Sequence, residues 1–104
     1  MKYLVRLSER AARDMELIYE FIGAESNNQA FAWFNNLAEA IFRLEVYPER
    51  GKSVPGANKV RQLVFGRKAD VYKILYRIDR KKRAVNVLHI RHGARQEWPH
   101  GESG

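Results

Sequence analysis

The chain has 104 residues, 45% of them hydrophobic and 12% aromatic, which fits one folded domain and excludes a disordered chain. It has no cysteine, so disulfides and thiolate metal sites are excluded, and no apolar run approaches the ~20 residues needed to cross a bilayer. The net charge of +7 is uneven, since residues 1–50 sum to −2 and residues 51–104 sum to +9. This asymmetry predicts a positive surface in the second half, for RNA, DNA or an acidic protein, or simply for solubility.

The first half of the chain predicts one strand followed by two helices. Residues 3–7 are apolar and aromatic, as in a strand, and Ser8 is placed to cap a helix that ends near residues 23–26. Asn27 or its neighbour can cap a second helix, which stops before Pro48 because a residue preceding proline avoids helical geometry. Two helices joined by a few polar residues predict an antiparallel hairpin. Arg6 interrupts the apolar start, so we expect no export signal and a cytoplasmic protein.

The second half predicts a loop and then three strands. Prolines and glycines make residues 48–58 a loop, after which the hydrophobic period changes from helical to alternating. The predicted strands are residues 60–65, 71–78 and 84–91, with a basic turn at 79–83.

The resulting order, β-α-α-β-β-β, predicts an α+β fold in which the helix hairpin packs on one face of a small, mostly antiparallel sheet. The strand at 71–78 alternates cleanly, so four of its residues should face the helices: Tyr72, Ile74, Tyr76 and Ile78. The opposite face carries Lys73 and Arg77, and we expect it to be left for partners.

The aromatic residues of the second predicted helix fall into two groups. Phe31 and Phe34 lie on its apolar stripe, so we expect them, like Tyr76, in the core. Trp33 lies off that stripe. It is either an exposed anchor for a partner or a residue that flanks the core.

No motif predicts a metal centre, a cofactor or a nucleophilic enzyme. His89 and His92 are three residues apart in a strand and so should point to opposite faces, and the serines lie in no Gly-x-Ser-x-Gly turn. Cationic and titratable side chains on the open sheet face and its edges remain. They suit phosphate binding and, with the right geometry, RNA cleavage; they are Arg61, Lys73, Arg77, His92 and Arg95.

Three segments taken together resemble the RelE/ParE toxin superfamily. They are the loop Tyr47–Lys52, the strand Val71–Ile78 and the ending Val87–Arg95. The likeness covers residues 1–96 as a single domain and leaves residues 97–104 as an expected flexible tail. The loop and the His-Gly-Ala-Arg ending look most like the ParE, or plasmid-stabilisation, branch.

The resemblance implies the toxin of a type II toxin–antitoxin system, which arrests growth until a cognate antitoxin binds it in a hetero-oligomer. ParE-type toxins inhibit DNA gyrase and are not enzymes, whereas RelE-type toxins cut mRNA on the ribosome. Both remain open, beside a third interpretation in which the chain is an inactive module that binds nucleic acid or a partner. None of the three implies a cofactor or a membrane.

The resemblance matches Arg61, Lys73, Arg77 and His92 to functional positions of the family. Together with neighbouring cations, the residues expected to bind the target are Arg61, Lys73, Arg77, Arg91, His92 and Arg95, and Trp33, from its place off the stripe, is the expected partner contact. In a nuclease, the catalytic residues would be Lys73, Arg77, His92 and Arg95. Three departures weaken the nuclease interpretation. Lys73 stands where the mRNA-cutting relatives usually have arginine, no carboxylate lies between Lys52 and Lys59, where some of them supply a base, and no tyrosine follows Tyr76.

Overall fold

The computed structural model describes residues 2–67 and 70–93, which form two helices and one five-stranded sheet. In chain order the elements are β1 (Leu4–Leu7), α1 (Glu9–Phe21), α2 (Asn28–Phe42), β2 (Lys52–Ser53), β3 (Arg61–Phe65), β4 (Tyr72–Asp79) and β5 (Ala84–His92). Short 3₁₀ turns follow α2 at Arg43–Glu45 and Pro48–Arg50. Within these residues, no helix combines the length and the apolar character that a membrane span requires.

The sheet has the order β1-β5-β4-β3-β2, and β1 pairs with β5 in parallel while the other described pairs are antiparallel. The predicted α+β architecture is therefore confirmed, with one more strand than expected. β2 lies inside the segment predicted to be an unbroken loop at 48–58, so that part of the prediction is wrong. A strand of two residues at a sheet edge is too short to produce a periodic pattern in the sequence.

Both helices begin where their capping residues predict. The side chain of Ser8 accepts a hydrogen bond from the Ala11 N–H at 2.9 Å, and the side chain of Asn27 accepts one from the Ala30 N–H at 2.9 Å. Gly23, at a φ of +72°, follows the end of α1 and turns the chain toward α2. The helices form the predicted hairpin on one side of the sheet.

The core lies between this hairpin and the sheet. Its fully buried members come from both layers: Ala11, Ile18, Leu37, Ile41, Leu44, Tyr72, Ile74, Tyr76, Val85, Val87 and Ile90. The alternation predicted for β4 is confirmed, with Ile78 partly buried at the end of the same face. Burial of these apolar surfaces is the main force that holds the two layers together.

One predicted core residue is misplaced: Phe31 is 46% exposed, whereas Phe34 is partly buried against the core. The reason is helical geometry, because each three-residue step falls about 60° short of a full turn. Phe31 consequently lies roughly 110° around α2 from the centre of the buried face, and Trp33 only about 50° from it. A stripe drawn at three-residue spacing alone therefore moves off the buried face of the helix.

Candidate functional site

The side of the sheet away from the helices is the candidate site. Residues paired across neighbouring strands point to the same side, so the register identifies the residues that accompany Lys73 and Arg77. Lys73 lies opposite Arg91 on β5 and Val64 on β3, and Arg77 lies opposite Asn86. We call this side the open face, and by register it comprises Leu4, Arg6, Lys52, Gln62, Val64, Lys73, Leu75, Arg77, Asp79, Ala84, Asn86, His89 and Arg91.

The open face is cationic and partly apolar. Arg6 is the partner of Asn86, so Arg77 and Arg6 flank one row of the sheet while Lys73 and Arg91 form another. Like charges directly opposite each other destabilise a sheet. The pairing of Lys73 with Arg91 is therefore not explained by stability.

Exposed apolar side chains adjoin these cations. Leu4 is 61% exposed and Val64 is 53% exposed. Arg77 is held over the β3 side, because its Nε–H donates to the Asn58 carbonyl oxygen at 3.2 Å. A surface that mixes fixed cations with apolar side chains suits a macromolecular partner better than a small ion.

Arg61 and His92, predicted to lie on the open face or its edges, do not share the side of Lys73 and Arg77. Arg61 pairs with Tyr76, and His92 pairs with Tyr72, so both point to the helix side of the sheet. Arg61 donates from Nη1 to the carbonyl oxygens of Gly51 at 2.7 Å and Glu49 at 3.3 Å. The His92 ring packs edge-on against Tyr72 with centroids 5.0 Å apart. The fifth predicted residue, Arg95, lies outside the described residues.

A β-bulge explains the position of His92. Opposite Leu75 and Tyr76, the register of β5 jumps from His89 to Val87 and leaves Leu88 as an extra residue. The extra residue reverses the alternation, so odd-numbered Val87 and even-numbered Ile90 both face the core. His92 follows Ile90 onto the helix side, while Arg91 turns to the open face.

A buried polar cluster that the sequence analysis missed joins α1 to β5. The Asp14 carboxylate oxygen Oδ2 lies 2.7 Å from His89 Nδ1 and accepts the Ile90 N–H at 2.9 Å. Arg10 Nη2 lies 3.2 Å from His89 Nε2, and because a guanidinium only donates, Nε2 accepts and Nδ1 carries the proton. Asp14 lies between Ala11 and Ile18 on the buried stripe of α1, which is the signal that could have identified it.

The cluster closes the edge of β5 beyond the end of β1. Ser8 Oγ also donates to the Leu88 carbonyl oxygen at 3.0 Å, so the start of α1 takes over from β1 as the neighbour of β5. Covering an edge in this way prevents it from pairing with other chains. His89 pairs with Leu75 at this edge, and it is only 9% exposed because Asp14 and Arg10 cover its ring, so it is a structural residue.

Tyr76 fixes the loop before β2 to the sheet. Its hydroxyl donates to the Pro48 carbonyl oxygen at 2.7 Å and accepts the Gly51 N–H at 2.8 Å. Desolvation in this buried position raises the pKa of the Tyr76 hydroxyl above its usual value of 10.0. Only glycine fits at position 51, because a Cβ there would lie 2.5 Å from the same hydroxyl oxygen.

Trp33 flanks the core. Its ring lies 5.4 Å from the rings of both Phe65 and Tyr72. Its outer edge lines an open groove of about 330 Å³ together with Phe21, Ile22, Ala30, Asp70 and Tyr72. Of the two interpretations of Trp33, the structure supports packing beside the core, and its role toward a partner stays a prediction.

Comparisons with known proteins agree with this geometry. The family model described as ParE toxin of type II toxin–antitoxin system, parDE, matches residues 5–97. No curated protein sequence matches the chain significantly.

Three solved structures illustrate the similarity of fold. The chromosomal ParDE system from P. aeruginosa has a TM-score of 0.68 and 18% identity over 88% of this chain and 96% of that chain. The RelBE2 toxin–antitoxin complex from Mycobacterium tuberculosis has a TM-score of 0.59 and 25% identity, covering 88% and 99%. A mutant of the E. coli toxin RelE in the free state has a TM-score of 0.62 and 16% identity, covering 88% and 84%.

Proposed function

The chain belongs to the ParE toxin family of type II toxin–antitoxin systems, and from this premise we propose that it arrests growth by binding and inhibiting DNA gyrase. The open face would be the inhibitory surface, and a cognate antitoxin would neutralise the toxin by binding it. In this proposal the chain acts by binding, without catalysing a reaction of its own.

The composition of the open face carries the proposal. Lys73, Arg77 and Arg91 supply the charge for an anionic surface. Of the histidines that the structure describes, His92 packs on Tyr72 on the helix side, whereas His89 lies opposite Leu75 with its ring held between Asp14 and Arg10. Cleavage of RNA needs an accessible acid or base beside the cations, and the one histidine or tyrosine that the described strands place on their side of the sheet is His89, which is 9% exposed and has both ring nitrogens bonded.

The carboxylates of the strands lead to the same conclusion. Asp79 is the one acidic residue within the strands that the structure describes, and its Oδ1 accepts the Lys82 N–H in the β4–β5 turn at 3.0 Å. By register Asp79 lies on the open face, two residues along β4 from Arg77 and six residues, or about 20 Å, from Lys73. With its Oδ1 bonded in the turn and Lys73 so far away, Asp79 is not placed to exchange a proton with a phosphate held by Lys73 and Arg91.

The solved structures of similar fold support an antitoxin partner, since the ParDE and RelBE2 structures are toxin–antitoxin systems. The exposed Leu4 and Val64 give such a partner apolar contacts on the open face. An antitoxin that covers these residues would also hide Lys73 and Arg77, which would explain neutralisation by direct competition with the target.

The test is a supercoiling assay with purified gyrase and the purified toxin. We expect inhibition by the unchanged chain and at least about tenfold weaker inhibition by Lys73→Ala with Arg77→Ala, which corresponds to about 1.4 kcal/mol of binding free energy. The matched control is Lys81→Ala with Lys82→Ala, which removes the same charge from the exposed β4–β5 turn and should inhibit normally.

A parallel assay in a translating cell-free extract addresses the ribosome-dependent nuclease. If gyrase keeps its activity while mRNA is cut at ribosome-occupied codons, the chain is an endoribonuclease and the gyrase proposal is wrong. If neither assay responds and expression without an antitoxin leaves growth unharmed, the chain is an inactive binding module.

A further inference from the structure

A second cationic site lies on the helix side of the sheet, behind the open face. It is a pocket of about 330 Å³ lined by Ser53, Lys59, Arg61, Ile78 and Arg80. Ser53 pairs with Arg61, and Arg61 pairs with the core residue Tyr76, so the pocket is on the opposite side of the sheet from Lys73 and Arg77. It is separate from the surface assigned to the target.

The guanidinium groups of Arg61 and Arg80, which line this pocket, both contact Glu49. Arg61 donates from Nη1 to the backbone carbonyl oxygen of Glu49, and Arg80 Nη2 lies 2.8 Å from the Glu49 carboxylate oxygen Oε2. The hydrogen bond to this carboxylate raises the pKa of the Arg80 guanidinium. In the described contacts Arg61 bonds to the protein through Nη1 alone, whereas a guanidinium has five N–H donors. Arg61 is thus held in place with donors left for a ligand.

Lys59 adds a third cation at a backbone position that does not favour lysine. Its φ is +58°, in the left-handed region where glycine is the preferred residue, as at Gly56 in the same loop. Within the part of the chain that the structure describes, no acidic side chain forms an ion pair with Lys59. The backbone conformation at position 59 gives no reason for a lysine, whereas the need for a positive charge lining the pocket does.

We propose that this pocket binds a phosphate group. Lys59, Arg61 and Arg80 line it, and with Glu49 paired to Arg80 the local charge is about +2. Guanidinium groups match phosphate oxygens with paired donors, and the Ser53 hydroxyl can add another hydrogen bond. Ile78 provides an apolar wall for the sugar or base that carries the phosphate.

The Glu49 carboxylate is part of the proposed site. In the structure it neutralises Arg80, so an incoming phosphate must share or displace that contact. Removing the negative charge of Glu49 should therefore tighten binding, while removing Lys59 should weaken it. Opposite responses of two neighbouring residues are hard to obtain from nonspecific attraction to a basic protein.

The experiment is an NMR titration of the full chain at low ionic strength, first with inorganic phosphate and then with AMP and a short DNA duplex. We expect the amide signals around Ser53 and Lys59 to shift, about three- to fivefold weaker binding in Lys59→Gly and a similar gain in Glu49→Gln. Lys59→Gly should also raise the melting temperature, because glycine adopts a positive φ without strain. Lys81→Ala with Lys82→Ala is the charge-matched control and should leave binding unchanged.

The phosphate source follows from the second stage of the titration. Tighter binding of AMP than of inorganic phosphate identifies a nucleotide site, while tighter binding of the duplex with a strong salt dependence identifies a nucleic-acid backbone. The proposal is overturned if Lys59→Gly and Glu49→Gln both bind phosphate like the unchanged chain, or if the shifts fall on the open face. Gyrase is not used, so this result is independent of the proposed target.

Discussion

The two sides of β4 share one backbone but differ in burial and in charge. Tyr72, Ile74 and Tyr76 are at most 2% exposed beneath the helices, while the residues between them, Lys73 and Leu75, are half-buried on the open face. Neighbouring residues of a strand point to opposite sides, so one strand serves both the core and the surface. Stability and target binding should therefore separate according to whether an even or an odd position of β4 is changed.

The largest effect is expected at the centre of the core. Ile74→Ala removes a fully buried side chain between the sheet and the hairpin and should lower the free energy of unfolding by about 2–5 kcal/mol. Leu75→Ala, one residue along on the open face, is the matched control and should cost much less. Urea denaturation of both variants measures the difference, and equal losses would mean that the two faces are equally buried.

Tyr76→Phe tests whether a core residue also holds the loop. The variant leaves the Gly51 N–H and the Pro48 carbonyl oxygen without their partner and should cost about 1–3 kcal/mol. Because burial raises the pKa of Tyr76 above 10.0, the folded chain keeps the phenol proton at pH values where the unfolded chain releases it. This contribution to stability is complete below pH 10 and is lost as the pH rises through the pKa of the folded state.

Unfolding measured between pH 9 and 11 should therefore show a steeper loss of stability for the unchanged chain than for Tyr76→Phe. Tyr47→Phe, at a side chain that is 64% exposed, is the control and should follow the unchanged chain. An unaltered alkaline slope in Tyr76→Phe would show that another group causes it.

The same distinction between a buried and an exposed side extends to α2. The aromatic residue that packs toward the sheet there is Trp33, which lies off the predicted apolar stripe. Trp33→Ala should cost about 2–3 kcal/mol through its lost contacts with Phe65 and Tyr72. Phe31→Ala, at a side chain that is 46% exposed, should cost less than about 1 kcal/mol. Thermal unfolding of the pair decides between the observed orientation of α2 and the one that its three-residue spacing suggests.

The smallest effect on stability is expected on the open face. Lys73→Ala with Arg77→Ala should change the free energy of unfolding by no more than about 0.5 kcal/mol, since the loss of contacts is offset by relief of repulsion between Lys73 and Arg91. Guanidinium denaturation, in which salt screens surface charge, measures it. A loss above about 1 kcal/mol would mean that these cations support the fold, and the two sides of β4 would no longer separate.

What the sequence predicted correctly was local. The alternation of β4, the caps at Ser8 and Asn27 and the hairpin depend on residues within a few positions of each other. Strand register is not local, so nothing near Arg61 shows that it lies opposite Tyr76. The extra residue Leu88 shifts the faces of β5, and with them the placement of His92, by one position.

The pairing of the first strand with the last has a consequence for biosynthesis. Leu4 lies opposite Ala84, so seventy-nine residues are synthesised between the two partners of that pair. Until β5 has emerged from the ribosome, β1 lacks its only described neighbour in the sheet, and contacts between such distant residues form slowly. The nascent chain therefore cannot complete its sheet during most of its own translation, and the finished cationic surface first exists after the last strand has been made.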